Sequence, residues 1–272
     1  MSKFMLKIVV PIKQVPETGN VKMDPETGTM VRDGVVSIVN PLDLYSIETA
    51  LMLKEQYGAT VTVLTMGPLN AVKALKEAIA MGCDEGYILS DRAFAGADTW
   101  ATAYALINAV KRIGDFDLIL AGERATDGDT GQVGPNIASG LDIPLATYVR
   151  KVNELDLENR TITVERSVEE GIETLQLPLP CLLTVVKEIS YPRLPTLRGK
   201  KRAKTVEIPV FTAEALGLKL EYLGLKGSPT RVVSTKAPKV TRNGQLVTIK
   251  EEKDLHAAVD RLIAFLEERQ LL

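Results

Sequence analysis

The chain is poor in the side chains that most often bind metals or act as nucleophiles and bases. Its 272 residues include two cysteines, one histidine and one tryptophan. Cys83 and Cys181 form no CxxC pair, which excludes an iron–sulfur cluster or zinc ribbon held by this chain alone. The single His256 lies in a charged C-terminal segment, which excludes a Ser-His-Asp triad or a histidine-based metal site in the main body. We therefore expect no metal site and no catalytic side chain, and a bound cofactor would supply any difficult chemistry.

Long apolar runs and a strong charge bias are also missing. No apolar run reaches the roughly 20 residues of a membrane helix, and the start MSKFMLKIVVPIK lacks the layout of a signal peptide. The formal net charge of -2 argues against a dedicated nucleic-acid binder. The 45% apolar and 25% charged contents are ordinary for a globular protein. These features predict a cytoplasmic protein without membrane insertion or a nucleic-acid partner.

Short apolar runs alternate with helical patterns through the first half of the chain. The runs typical of strands are Lys7–Ile12, Val35–Val39, Thr60–Met66, Gly86–Leu89 and Asp117–Ala121. The helical patterns are Leu42–Tyr57, Leu69–Met81 and Thr99–Ile113, followed by the possible capping glycines Gly58, Gly82 and Gly114. This alternation predicts an α/β fold with a doubly wound, mostly parallel, Rossmann-like sheet.

After Gly140 the alternation stops. Leu145–Val152, Thr161–Ser167 and Ile172–Leu177 are typical of successive strands that extend the sheet on one side. The stretch YPRLPTLRGKKRAK (191–204) predicts an exposed irregular loop. An amphipathic helix over about Lys250–Glu268 ends the chain. Its apolar stripe is Leu255, Val259, Leu262, Ile263 and Leu266. We expect a first domain over residues 1–224, which includes loop 191–204, and an arm over residues 225–272 that lies on a partner or a neighbouring domain.

The stretch GERATDGDTGQVGP (122–135) follows a predicted strand and precedes a predicted helix. A glycine-bearing loop that enters a helix offers unpaired N–H groups to an anion, and Gly128, Gly131 and Gly134 remove side-chain bulk where a phosphate must approach. Thr130 and Gln132 can add hydrogen bonds. The carboxylates in the loop would repel phosphate, so we expect them to cap N–H groups or meet sugar hydroxyls. The pattern is neither GxGxxG nor a Walker loop, and a well-capped helix start remains the alternative.

Other segments are predicted to reach the same edge of the sheet. Asn40-Pro41-Leu42-Asp43 follows one apolar run, and an ordinary helix N-cap is its simplest explanation. In a doubly wound sheet, however, this segment, Pro11 and Met66 would end beside the 122–135 loop. Such convergence favours a binding crevice.

The run LRGKKRAK (197–204) is strongly basic. A charge run is often only a solvated surface, and the scarcity of aromatic side chains disfavours nucleic acid. Leu194 and Leu197, on a proline-stiffened exposed segment, instead suit docking onto another protein.

Taken together, these motifs resemble the β subunit of electron-transfer flavoproteins. The resemblance covers nearly the whole chain: VVPIKQVP, NPLD, VLTMGP, AMGCDEG, GERATDGDTGQVGP and VERSVEEGIETLQLPLPCLLTV (164–185) carry it. It implies a heterodimer with an α subunit that binds the main redox FAD, while the β subunit binds a second adenine nucleotide. The implied nucleotide contacts are Pro11, Asn40, Pro41, Leu42, Asp43, Met66, Asp127, Gly128, Asp129, Thr130, Gly131, Gln132, Val133 and Gly134. The implied partner-docking residues are Leu194, Leu197, Arg198, Lys200 and Lys201, in the recognition loop, and the C-terminal arm is expected on the α subunit.

The resemblance leaves the second nucleotide open between AMP, in simple electron carriers, and FAD, in electron-bifurcating members. LSDRAFAGADTWATAYAL (89–106) and Gly128-Asp129-Thr130 are more similar to the bifurcating group. FAD is therefore favoured, with NADH as a possible donor at the same site. The implied partners are then a flavin dehydrogenase such as an acyl-CoA dehydrogenase and, for bifurcation, a low-potential ferredoxin or flavodoxin.

Two alternatives stay open. One is a simple carrier subunit with structural AMP. The other is an ATP-binding hydrolase-like or sensor module on a related sheet. The sequence contains neither a Walker loop nor an SGGxDS-like loop, which argues against this alternative.

Overall fold

The computed structural model describes residues 5–17, 22–23, 30–31, 36–233, 244 and 246–272. The chain forms two compact units, Met1–Val233 and Ser234–Leu272. The division falls after Val233, whereas the sequence places it after Gly224. The intervening residues belong to the first unit because Leu225 N donates to the Ala95 carbonyl at 3.0 Å and Thr230 donates twice to the Asp98 carboxylate.

The described residues contain thirteen strands and seven α-helices. The strands are β1 (Lys7–Pro11), β2 (Gln14–Pro16), β3 (Lys22–Met23), β4 (Met30–Val31), β5 (Ser37–Val39), β6 (Thr60–Met66), β7 (Glu85–Leu89), β8 (Leu118–Gly122), β9 (Leu145–Asp156), β10 (Thr161–Val168), β11 (Gly171–Pro178), β12 (Cys181–Val185) and β13 (Val210–Phe211). The helices are α1 (Asp43–Tyr57), α2 (Val72–Met81), α3 (Thr99–Ile113), α4 (Val133–Leu141), α5 (Leu197–Thr205), α6 (Gly224–Gly227) and α7 (Glu252–Glu268).

Nine of the described strands form one sheet, in the order β11-β10-β9-β12-β8-β1-β6-β7-β13. In this spatial order, every neighbouring pair of strands between β9 and β13 is parallel. On the other side of β9, β10 and β11 add an antiparallel meander. The order reverses at β1, which pairs with β6 on one side and β8 on the other. Ligands of open α/β sheets bind at such a switch point, outside the carboxyl ends of the strands.

The sheet is covered on both faces. On one face, Ile8 and Val10 of β1 pack in a core with buried apolar residues of α1 and α2. On the other face, Val9 lies in a second core with residues of α3 and α4. Burial on both faces explains why the central strands are continuous apolar runs. The predicted doubly wound, mostly parallel α/β fold is confirmed.

The strand predicted over Val35–Val39 does not join the main sheet. Its described part, β5, pairs antiparallel with β2 in a separate two-stranded sheet, with Val15 opposite Ile38. Val36 and Ser37 are exposed, so the segment lacks the two buried faces of a central strand. The pairing nevertheless continues through Asn40 N to the Lys13 carbonyl at 2.8 Å, which brings Asn40 to the edge of the main sheet.

The irregular loop predicted over residues 191–204 is wrong in its second half, which is helical. Thr196 Oγ1 accepts the N–H of Gly199 at 2.9 Å and caps α5. A Cβ at Gly199 would clash with the carbonyl oxygen of Ala80, so glycine allows α5 to lie close to α2. The helix buries only Ala203, and apolar periodicity therefore could not reveal it.

Within the second unit, α7 is a described helix with a capping box between Glu251 and Asp254. None of its residues is buried. Of the predicted apolar stripe, Leu255, Val259, Leu262 and Ile263 are exposed and Leu266 is half-buried. In the described parts of the chain, no helix has the length and apolar content needed to cross a bilayer.

Candidate nucleotide-binding site

The 122–135 loop leaves the sheet at the carboxyl end of β8 and ends in α4. β1, the neighbour of β8, ends at Pro11, and β6 ends at Met66 on the other side of β1. The segment Asn40–Asp43 leads from β5 into the first residue of α1, and its Asn40 contacts the loop directly. The structure thus places the predicted nucleotide-binding segments along one edge of the sheet, at the switch point.

Asn40 holds the first part of the loop. The residue is fully buried. Its Nδ2 donates to the carbonyl of Arg124 at 2.9 Å, and its Oδ1 accepts the N–H of Thr126 at 3.2 Å. Both polar ends of the amide are therefore used by the protein, so Asn40 shapes the loop whatever else the residue contacts.

Asp43 is a buried carboxyl group beneath the same loop. Its Oδ2 accepts the N–H of Lys13 at 2.7 Å. Burial raises the pKa of Asp43 from its usual 3.8 to about 7, against the opposing effects of hydrogen bonds from Lys13 and Asn40. A Cβ at Gly122 would collide with Asp43 Oδ1 and approach the Leu42 carbonyl to 3.0 Å. Glycine is therefore needed where β8 runs into the loop.

The two aspartates of the loop pair with cations. Lys13 Nζ lies 2.6 Å from Asp127 Oδ1, and Arg124 Nε lies 3.3 Å from Asp129 Oδ1. Asp129 has φ of 52° and donates its N–H to the Ala125 carbonyl at 2.8 Å, which closes a tight turn. Among the described residues, the side-chain partners of these two aspartates are Lys13 and Arg124, and neither lies in α4. The cations also offset the repulsion that these carboxylates would exert on an anion.

At the start of α4, the N–H groups of Val133 and Gly134 donate no hydrogen bond to a described residue, and Pro135 has no N–H. The N-cap residue of α4, Gln132, accepts a hydrogen bond from Thr99 Oγ1 at 2.8 Å and does not cap the helix. Gly131 has φ of 62°, and a Cβ on Gly128 would have no atom of a described residue within 4 Å apart from its chain neighbours. The side chain of Gln132 therefore does not supply the cap that a well-capped helix start would have at this position. An uncapped helix start behind open glycine backbone suits a phosphate group.

Gly134 has a different role from the other two spaced glycines. The residue lies in the first turn of α4, and its Cβ would lie 2.7 Å from Thr184 Cγ2 on β12. Gly134 thus lets the helix pack against the sheet. Val133 opens the same turn, while Thr130 precedes it and is exposed.

An open cavity of about 430 Å³ adjoins the loop. Leu42 and Arg124 connect it to the predicted site. Sequence reasoning did not find Arg150, Ser167 and Lys187, which also line the cavity. They come from β9, β10 and the segment after β12, and no local motif joins them.

The predicted docking residues are exposed. Leu194 and Leu197 are each 86% exposed. Arg198, Lys200 and Lys201 are also exposed, on α5. By contrast, Arg202 Nη2 donates to the carbonyl of Cys83 and ties the helix to the body of the protein. We call residues 191–204 the recognition segment.

The sequence profile of the electron transfer flavoprotein domain matches residues 27–216. The chain belongs to the electron transfer flavoprotein family. The electron transfer flavoprotein subunit beta of Thermoanaerobacterium thermosaccharolyticum is 47% identical over 258 residues, which are 94% of this chain and 98% of that protein. The resemblance found in the sequence motifs is therefore confirmed.

Two further relatives of this flavoprotein chain carry other names. The caffeyl-CoA reductase-Etf complex subunit CarD of Acetobacterium woodii is 46% identical over 244 residues, 89% of this chain and 92% of that protein. Protein FixA of Azorhizobium caulinodans is 41% identical over 271 residues, 97% of this chain and 95% of that protein. The chain is thus of the β-subunit type in a family of electron-transfer proteins.

Proposed function

We propose that this chain is the β subunit of a heterodimeric electron transfer flavoprotein and that its 122–135 loop binds an adenine nucleotide. The observation that carries the proposal is the uncapped start of α4 behind the open backbone of Gly128, at the switch point of the sheet. There, the N–H groups of the first turn of α4 would bind phosphate. Asn40 and Asp43 would keep the loop in the required shape through their buried hydrogen bonds.

FAD is the nucleotide that we favour. Gly128 leaves space beside the predicted phosphate position, and an open cavity adjoins the loop at Leu42 and Arg124. The likeness to a subunit of a caffeyl-CoA reductase-Etf complex also favours a role in a reductase assembly. Bound FAD would supply the redox chemistry of flavin-based electron bifurcation, with NADH as donor. This chain's residues would hold the nucleotide and set its surroundings.

The proposed partners are an electron transfer flavoprotein α subunit, a flavin dehydrogenase such as an acyl-CoA dehydrogenase, and a low-potential ferredoxin or flavodoxin. The exposed leucines of the recognition segment, next to basic side chains of α5, support docking of the dehydrogenase. The exposed apolar residues of α7 support contact with the α subunit. Removal of the residues after Gly244 should then weaken heterodimer formation, measured by sedimentation velocity.

The nucleotides released from the purified, heat-denatured heterodimer test the proposal. Two FAD per heterodimer are expected. One FAD and one AMP would instead support the simple carrier with structural AMP, since Gly128 and α4 can hold the phosphate of either nucleotide. A heterodimer that releases only one adenine nucleotide contradicts nucleotide binding by this chain. ATP turnover by the isolated chain would favour the hydrolase-like alternative.

A further inference from the structure

A buried carboxylate on α1 holds the start of the recognition segment. Glu48 is only 5% exposed. Its Oε2 accepts the backbone N–H and Nε–H of Arg193, each at 2.9 Å, and its Oε1 accepts Nη2–H at 2.9 Å. Glu55, two helical turns further along α1, accepts hydrogen bonds from Nη1 and Nη2 of the same guanidinium. One arginine is thus held by two carboxylates and by its own backbone.

This arrangement fixes geometry more than it stabilises the fold. A buried ion pair loses hydration free energy about as large as the attraction that it gains, so an apolar pair would stabilise the fold as well. An apolar pair, however, would not direct the backbone. Because Glu48 binds both the main chain and the side chain of Arg193, it sets the path of the segment on which Leu194 follows.

Further bonds hold the two ends of the segment. Ser190 Oγ donates to the Tyr45 carbonyl on α1 at 3.2 Å. At the other end, Arg202 is bonded to the Cys83 carbonyl after α2. Between these two anchors, Leu194 and Leu197 are 86% exposed. Exposed apolar side chains on a fixed backbone are prepared for burial against another protein, because little conformational entropy remains to be lost on docking.

We propose that Glu48 and Arg193 are positioning residues for partner docking, which hold Leu194 and Leu197 outward so that a dehydrogenase binds a preformed surface. The proposal rests on the proposed function, in which the recognition segment is the docking site. Glu48 is buried in α1, and in this role it acts through Arg193.

The substitution Glu48→Gln tests this role because it keeps the size of the side chain and removes its charge. The assay uses an acyl-CoA dehydrogenase, reduced by its acyl-CoA, as donor and the purified heterodimer as the varied acceptor. We expect KM for the heterodimer to rise about tenfold and kcat to change less than about twofold. Glu173→Gln is the matched control, since it breaks an exposed Arg166–Glu173 pair of 2.8 Å on β10 and β11. This control should leave KM unchanged.

A double-mutant cycle separates positioning from an independent effect. Leu197→Ala removes a proposed docking side chain directly. If Glu48 acts by presenting the leucines, Leu197→Ala will raise KM less in the Glu48→Gln background than in the wild type. If the increase in KM of the double variant equals the product of the increases in the two single variants, the proposal is overturned.

Hydrogen exchange gives a readout that needs no dehydrogenase. The backbone amides of residues 190–197 should exchange faster in Glu48→Gln than in the wild type. In Glu173→Gln they should exchange at the wild-type rate. Unchanged exchange overturns the proposal.

A second variant, Glu55→Gln, is used in case the substitution of the buried Glu48 prevents folding. The carboxylate of Glu55 is 62% exposed, so we expect Glu55→Gln to raise the exchange rate and KM by a smaller amount. A wild-type heterodimer that accepts no electrons refutes the proposed function, whereas an active wild type with unchanged KM in both variants refutes the positioning role alone.

Discussion

Replacing Asn40 by alanine separates the loop from its support without touching the start of α4. The substitution leaves the Arg124 carbonyl and the Thr126 N–H without their partner, and it removes an amide from a fully buried position. Each lost hydrogen bond contributes about 1 kcal/mol to the stability of the fold. A partly buried polar group that loses its hydrogen-bond partner adds a similar desolvation cost. We therefore expect the free energy of unfolding to fall by about 2–3 kcal/mol.

Urea unfolding of the chain measures this loss as a lower midpoint with an unchanged slope. Nucleotide affinity, measured by titration of the stripped heterodimer, should fall by a factor of about 10 or more. Without Asn40 the loop has lost its support, so nucleotide binding must supply part of the free energy that orders the loop. Asn108→Ala is the control: among the described residues, Asn108 Nδ2 donates only to the Tyr104 carbonyl, one turn back on α3. If Asn40→Ala and Asn108→Ala have the same urea midpoint and the same affinity for the nucleotide, Asn40 does not support the loop.

Three other substitutions probe the same site. Burial raises the pKa of Asp43 to about 7, so between about pH 4 and pH 7 the folded chain keeps a proton that the unfolded chain has released. The free energy of unfolding should therefore fall as pH rises through this range, by at most about 1.4 kcal/mol per pH unit, and Asp43→Asn should remove that slope in urea titrations. Gly134→Ala should destabilise the fold by about 1–3 kcal/mol, because its Cβ would lie 2.7 Å from Thr184 Cγ2. Gly128→Ala should change unfolding by less than about 0.5 kcal/mol and yet weaken nucleotide binding; equal unfolding of these two alanine variants would refute the packing role of Gly134.

Local sequence patterns anticipated the elements whose causes are local. α3 has the predicted bounds Thr99–Ile113, and α1 is followed by Gly58, which has φ of 76° and donates to the Lys54 carbonyl at 2.9 Å. The 122–135 loop likewise follows from adjacent residues, because a buried strand, three glycines and a helix start occur within one short stretch.

The features that the sequence did not reveal depend on distant contacts. α5 exists because Gly199 packs against α2 and Thr196 caps the helix, while its exposed residues show no apolar period. β5 joins β2 instead of the main sheet. The bond between Arg193 and Glu48 spans 145 residues in the sequence, so no local window contains both. Arg150 and Ser167 reach the cavity only after β9 and β10 have paired.

A crystal structure of the heterodimer grown with saturating FAD and AMP tests the central claim most directly. We predict density for an adenine nucleotide against residues 127–134, with phosphate at the first turn of α4. Clear density for those residues with no nucleotide beside them would contradict the account.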